Sequence, residues 1–286
     1  MSIKILIDSA SDISQEEANI MGISVIPLIV TFGEVNYYDG INLSPRQFYE
    51  KLVEDNIFPK TTQITPLRYE EAYENLTKDG DTLLVLTISS KLSGTYQSAV
   101  IASEKFNGKV YVVDTLSAAI GERLLCEYAL RLIKEEKDIK YIVAKLNKIK
   151  YDINIIALVN TLEYLKKGGR ISNTIAFAGE LFSIKPVLSV IEGEVKMVGK
   201  AIGSKKANNL LNKLVENKGG IDFNMPFGVL WSGFDDTTLK KYIKDSSNLW
   251  VEHVTNIPQH ILGCTIGTYV GPGAVGVAFF GKNRKD

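Results

Sequence analysis

A chain of 286 residues leaves room for about two domains of roughly 150 residues each, and 45% hydrophobic residues suffice for ordinary globular cores. Lysine plus arginine and aspartate plus glutamate stand at 33 each, so net charge argues against a nucleic-acid surface. Two cysteines argue against a disulfide scaffold, and two histidines seven positions apart, His253 and His260 with Pro258 between them, argue against a zinc site.

The opening MSIKILIDSA is too short and too soon interrupted by charge to read as a signal peptide, and no apolar stretch reaches membrane length. A reduced, cytoplasmic protein is the expectation. IKILI (3–7), ISVIPLIV (23–30), LLVLTI (83–88) and VYVV (110–113) are apolar on both faces, as strands of a parallel sheet covered by helices on both sides would be. Between them, Ser14 with Glu17 and Ser44 with Gln47 form capping boxes, and Pro45 and Pro66 occupy favoured first-turn positions. The stretch 121–149 reads as two amphipathic helices, the second capped by Asp138, with Cys126 as a buried thiol beside the apolar stripe of the first. This long connection places the domain boundary, giving 1–152 and 153–286.

The second half carries strand candidates IIALV (155–159), VLSVIEGEVKMVGKAI (187–202), FGVLW (227–231), WVEHV (250–254) and GVAFF (276–280), with a hairpin turning at Gly193. KKANNLLNKLVEN and DTTLKKYIKD read as helices, so a mixed sheet with helices is expected. The G-x-G-x-x-G run at Gly271, Gly273 and Gly276 is not a dinucleotide fingerprint. A strand follows it, and neither the required helix nor the acidic residue about 20 positions on has room before Asp286.

Four loops carry the candidate chemistry. DSASD (8–12) is either a turn feeding the Ser14 cap or a site; Ala10 stands where phosphoryl-aspartate hydrolases need a second aspartate. TISSKLSGTYQSA (87–99) runs from a strand into a helix, where Ser93, Gly94 and free N–H groups could hold a carboxylate or phosphate, or Ser93 could simply cap the helix. PKTTQITP (59–66) leaves Thr61, Thr62 and Gln63 without a local role. YLKKGGRIS (164–172) ends a helix in an ordinary way at Gly168, which leaves Arg170 unexplained. The apolar NTIAFAGELFSIKPVL after it is either a buried helix or the wall of an apolar pocket.

Taken in order, DSASD, YYDG (37–40), PKTTQITP, ISSKLSGTYQSA, DTLSAAIGERLL (114–125), LKKGGRIS, IKPVLSV (184–190) and IGTYVGPGAVG make the chain similar to the DegV family of bacterial fatty-acid-binding proteins. The resemblance implies a two-domain α/β fold with one long-chain fatty acid buried between the domains, no cofactor and no catalytic residue. It implies that Ser93, beside Gly94, and Thr61 or Thr62 hold the carboxylate, with Arg170 near it. Phe177 and Phe182 would limit or bend the tail. It further implies a separate ATP-dependent fatty acid kinase that phosphorylates the carboxylate for phospholipid synthesis, and a lipid cargo admits transient membrane contact.

One departure stands out: the family's G-T-H before the glycine-proline-glycine turn reads G-T-Y here, so Tyr269 replaces the histidine, and the turn returns the chain so that residue 269 meets the ligand. Lys200, Lys205 and Lys206 are either a solvated surface or a docking face for an acidic patch on the kinase. Two other readings stay open: an enzyme using the same loops on an acyl or phosphorylated substrate, and a lipid store or sensor without a kinase. Burying about 14 methylenes at roughly 0.8 kcal/mol each gains about 11 kcal/mol gross. A charge-assisted head-group bond adds only about 1.5–3 kcal/mol. The tail would thus dominate affinity and the cradle would decide orientation.

Overall fold

The computed structural model describes residues 2–55, 57–171 and 184–282. Strand β1 (Ile3–Asp8) lies at the centre of a four-stranded parallel sheet ordered β2-β1-β6-β7, with β2 (Ser24–Ile26), β6 (Thr82–Thr87) and β7 (Val110–Asp114). The apolar runs of β1 and β6 are buried almost throughout, as strands covered on both faces must be. Helices α1 (Gln15–Met21) and α2 (Pro45–Glu54) begin at the Ser14 and Ser44 capping boxes, both fully formed, and α3 (Pro66–Thr77) begins at Thr65 with proline in its first turn. Helix α3 packs with α4 (Thr95–Ser103) against the sheet, while α5 (Ile120–Lys134) and α6 (Ile139–Ile149) form a second pair. Asp138 accepts from the N–H groups of Lys140 and Tyr141, as expected of the cap on α6.

Three expectations need correction. ISVIPLIV is not one strand: β2 ends at Ile26 and β3 (Ile29–Phe32) joins a separate antiparallel sheet with β4 (Val35–Tyr38) and β5 (Lys60–Thr62). Pro27 has no N–H for a ladder, and the Leu28 N–H turns to the Ser9 hydroxyl at 3.0 Å, so the run breaks between them. PKTTQITP, read as a loop, supplies β5. WVEHV is a turn rather than a strand, because the Trp250 indole turns inward against Phe223 and Phe227 and donates to the Ser246 hydroxyl at 2.9 Å.

The second sheet is mixed and six-stranded, ordered β10-β9-β8-β13-β11-β12. Its members are β8 (Ile153–Leu158), β9 (Ile184–Ile191), β10 (Glu194–Ile202), β11 (Phe227–Trp231), β12 (Gln259–Ile261) and β13 (Val275–Phe280). The β9–β10 hairpin turns through Glu192 and Gly193, both at positive φ, a favoured two-residue hairpin geometry. Its tip touches the first sheet's loops: the Ser89 hydroxyl donates to the Gly193 carbonyl at 2.8 Å. Helix α7 (Glu163–Lys167) follows β8, and α8 (Ser204–Asn217) and α9 (Thr237–Asp245) cover the sheet's outer face.

Helix α5 packs on strands of both sheets, and a continuous apolar core runs from β1 to β13. A last short helix, α10 (Cys264–Val270), precedes the 271–274 turn. It was illegible as a helix because Gly263, Gly267 and Gly271 punctuate it.

Candidate functional site

Strand alternation builds the pocket. Ile155 and Ala157 of β8, with Val159 just beyond, face inward, while Ile156 and Leu158 between them belong to the outer core against α8 and α9. Leu188 and Val190 of β9 and Val195 of β10 extend the same wall, and Ile88, Ala118 and Ala119 close it from the first sheet's loops. This bore, its opening to solvent included, has about 870 Å³ free of protein atoms.

Six polar side chains line the bore: Thr61, Ser93, Arg170, Ser189, Thr265 and Tyr269. Of these, Thr61, Ser93, Arg170 and Tyr269 are each half-buried. The Thr61 and Tyr269 hydroxyls stand 2.5 Å apart. The Arg170 guanidinium lies over the Tyr269 ring, 4.8 Å from its centroid, and donates from Nε to the Leu92 carbonyl at 3.2 Å and from Nη1 to the Gly168 carbonyl at 2.7 Å. Arg170 has no carboxylate partner among the described residues, so its charge is not neutralised by the protein there. A second, wetter cleft shares Leu92, Ser93, Arg170 and Val195 with the bore and is lined further by Ser90, Lys91, Glu194 and Lys196. Ser93 and Arg170 therefore border both spaces.

The remaining candidates fall differently. Thr62 is exposed and lines neither cavity, because alternation along β5 turns it away as it turns Thr61 inward. Gly94 borders the wet cleft, not the bore. A Cβ there would lie 2.0 Å from Gln63 Oε1, so glycine is what lets the 93–95 turn close over that side chain. The N-cap of α4 is Gly94, without a side-chain cap; Ser93 Oγ accepts from the Thr95 N–H at 3.2 Å and pairs with Thr95 Oγ1 at 2.9 Å. Phe177 and Phe182 lie outside the described residues. Lys200 and Lys206 border a separate cleft with Ile184, Ile202 and Leu210, and Lys205 sits beside them in the first turn of α8. Neither histidine reaches the bore: His253 stacks on Phe223 and His260 lies in β12.

None of the DSASD residues lines either cavity. Asp8 ties the ends of β1 and β6, accepting from Ala10 N–H at 3.0 Å and Ile88 N–H at 2.8 Å; burial outweighs these bonds and pushes its carboxyl up to about 7. Residues that sequence reasoning missed include Ile155, Ala157, Leu188 and Val190, whose two-residue spacing was the available signal. Asp39 of YYDG was missed as well, and its partners lie more than 200 positions away.

Fold and site together define a class: an α/β protein with a largely apolar bore lined also by hydroxyls and by a guanidinium that has no carboxylate partner among the described residues. The chain belongs to the DegV family, whose family model ("Uncharacterised protein, DegV family") matches residues 2–282. A DegV domain-containing protein of Caldanaerobacter subterraneus subsp. tengcongensis is 33% identical over 279 residues, covering 97% of this chain and 98% of the relative. Among solved structures, a DegV family protein from Thermus thermophilus described for its fatty acid binding is 33% identical, with a TM-score of 0.87 over 98% of this chain and 100% of that one. A DegV lipid-binding protein from Thermotoga maritima is 30% identical, with a TM-score of 0.86 over all of both chains. DegV from Bacillus subtilis, described as a fatty acid binding protein, is 28% identical, with a TM-score of 0.85 over 99% and 100%. No helix among the described residues is long and apolar enough to cross a membrane.

Proposed function

We propose that this protein binds one long-chain fatty acid between lobes 1–152 and 153–286 and presents its carboxylate to a partner fatty acid kinase. The observation that carries this reading is the bore itself: walled mostly by apolar side chains, with Thr61, Ser93, Arg170 and Tyr269 on the same lining. A polymethylene chain gains by leaving water, and a carboxylate needs donors and a cation where the chain ends. Residues of both kinds line one cavity, which supports this reading. Fatty-acid-binding relatives of the same fold support the same ligand class. The head group then borders the wet cleft, from which a kinase can approach.

On this reading the chain is a carrier, and the phosphoryl-transfer machinery belongs to the partner. Lys200, Lys205 and Lys206 supply a basic face for an acidic partner surface, acting mainly on association rate. The test is titration of delipidated protein with palmitate, followed by acyl-phosphate assay with a bacterial fatty acid kinase. Saturable palmitate binding and kinase-dependent acyl phosphate are expected. Binding without any acyl phosphate would leave a lipid store, and no binding would end the reading. Reversing Lys205 and Lys206 to Glu should slow kinase coupling at low salt; unchanged coupling would return them to solvated surface.

A further inference from the structure

The start of α10 is held by carboxylates from the far end of the sequence. Gly263 N–H donates to Asp12 Oδ1 at 2.8 Å, Cys264 N–H to Asp39 Oδ1 at 3.1 Å and Thr265 N–H to Asp39 Oδ2 at 3.1 Å. Gly263 offers no side chain of its own as a cap, so the N–H groups that a helix start leaves unpaired are satisfied across the molecule. Asp39 is buried and is itself fixed by the Ser9 hydroxyl at 3.0 Å, which in turn accepts from the Leu28 N–H. The Asp39 N–H returns to the Leu28 carbonyl at 3.0 Å.

Asp39 directly follows β4, and Thr61 sits in β5; both strands pair with β3. One small sheet therefore holds Thr61 directly and holds Tyr269 through the Asp39 grip on α10. Only two turns of helix separate that grip from Tyr269, and a hydrogen-bonded helix this short moves as a unit.

We propose that Asp39, with Asp12, is a positioning residue for the head-group site: it sets where the Tyr269 hydroxyl stands relative to Thr61 and Arg170. The inference rests on the reading of that site as a carboxylate cradle. A carboxylate uses several donors at once and is sensitive to their spacing, whereas an alcohol of the same chain length depends mainly on the bore. Loosening the α10 start therefore costs acid binding selectively.

The test measures palmitate and 1-hexadecanol affinities by displacement of a fluorescent fatty acid from delipidated full-length protein. Asp39→Asn should lower palmitate affinity about tenfold while leaving 1-hexadecanol within about twofold. In a Tyr269→Phe background the same substitution should change palmitate affinity by less than about twofold, because the group it positions is gone. Should Asp39→Asn fail to fold, Asp12→Ala, which removes the acceptor of the Gly263 N–H, carries the same expectation at smaller size. Equal losses for acid and alcohol, or a full additional loss in the Tyr269→Phe background, would reduce Asp39 to a structural cap and overturn the inference. Wild-type protein that fails to bind palmitate would instead remove the cradle reading, and this inference with it.

Discussion

The Arg170 guanidinium and the Tyr269 ring form a stacked pair, 4.8 Å from cation to ring centroid, on the lining of a largely apolar bore. The family resemblance implies an arginine near the head group, here Arg170, and a histidine where Tyr269 stands. A phenol offers one hydroxyl donor, whereas an imidazole there can carry positive charge. Tyr269→His should therefore leave fatty-acid affinity within a few fold but raise acyl-phosphate formation, since a cation stabilises charge developing on the transferred group better than a neutral donor. Arg170→Ala should depress acyl-phosphate formation in either background. Side-by-side kinase assays check this, and wild type matching the Tyr269→His variant would exclude residue 269 from governing transfer.

Ser93→Ala should weaken palmitate binding by about 1.5–3 kcal/mol, tenfold to more than a hundredfold. Stability should fall far less, because the N-cap of α4 is Gly94 and, among the described residues, the Ser93 hydroxyl bonds only to Thr95. Calorimetric titration and thermal melting separate the two. A lowered melting temperature with unchanged affinity would make Ser93 a local turn residue.

Gly168→Ala should disturb the site from behind. A Cβ at 168 would stand 2.3 Å from Tyr269 Cδ1, so the ring that carries Arg170 must shift. The expected result is palmitate affinity reduced by about tenfold with stability lowered by about 1–3 kcal/mol, as for other overpacked positions. Titration of the variant against wild type checks it.

Asp8 gives stability a pH dependence of defined sign. Its carboxyl is held up to about 7 by burial, above the unfolded value of 3.8, so the folded state binds this proton more tightly. The stabilisation is complete below about pH 4 and is lost as pH rises toward 7, by at most about 4 kcal/mol. Asp8→Asn, which cannot ionise, should show a smaller loss of unfolding free energy between pH 4 and pH 7 than wild type in denaturant titrations. Identical pH profiles would show that Asp8 is ionised in the folded state throughout.

The parallel sheet was legible because burial on both faces leaves unbroken apolar runs such as LLVLTI, and the capping boxes because they are local. The bore was legible only in its polar lining, where small polar residues crowd a strand end without a local use. Its walls come from β8, β9 and β10, whose inward residues differ in no way from ordinary core until two sheets are set face to face. The three-stranded sheet was hidden because a strand was assumed to continue through Pro27. Helix α10 was hidden both by the glycines that punctuate it and because its cap, Asp39, lies 225 positions from Cys264, beyond the reach of any local pattern.

The most direct measurement is mass spectrometry of an organic extract from purified, undialysed protein. The account predicts about one long-chain monocarboxylic fatty acid per chain, or stoichiometric uptake of added palmitate or oleate if the protein purifies empty. An extract free of fatty acid, with no uptake of either, would contradict it.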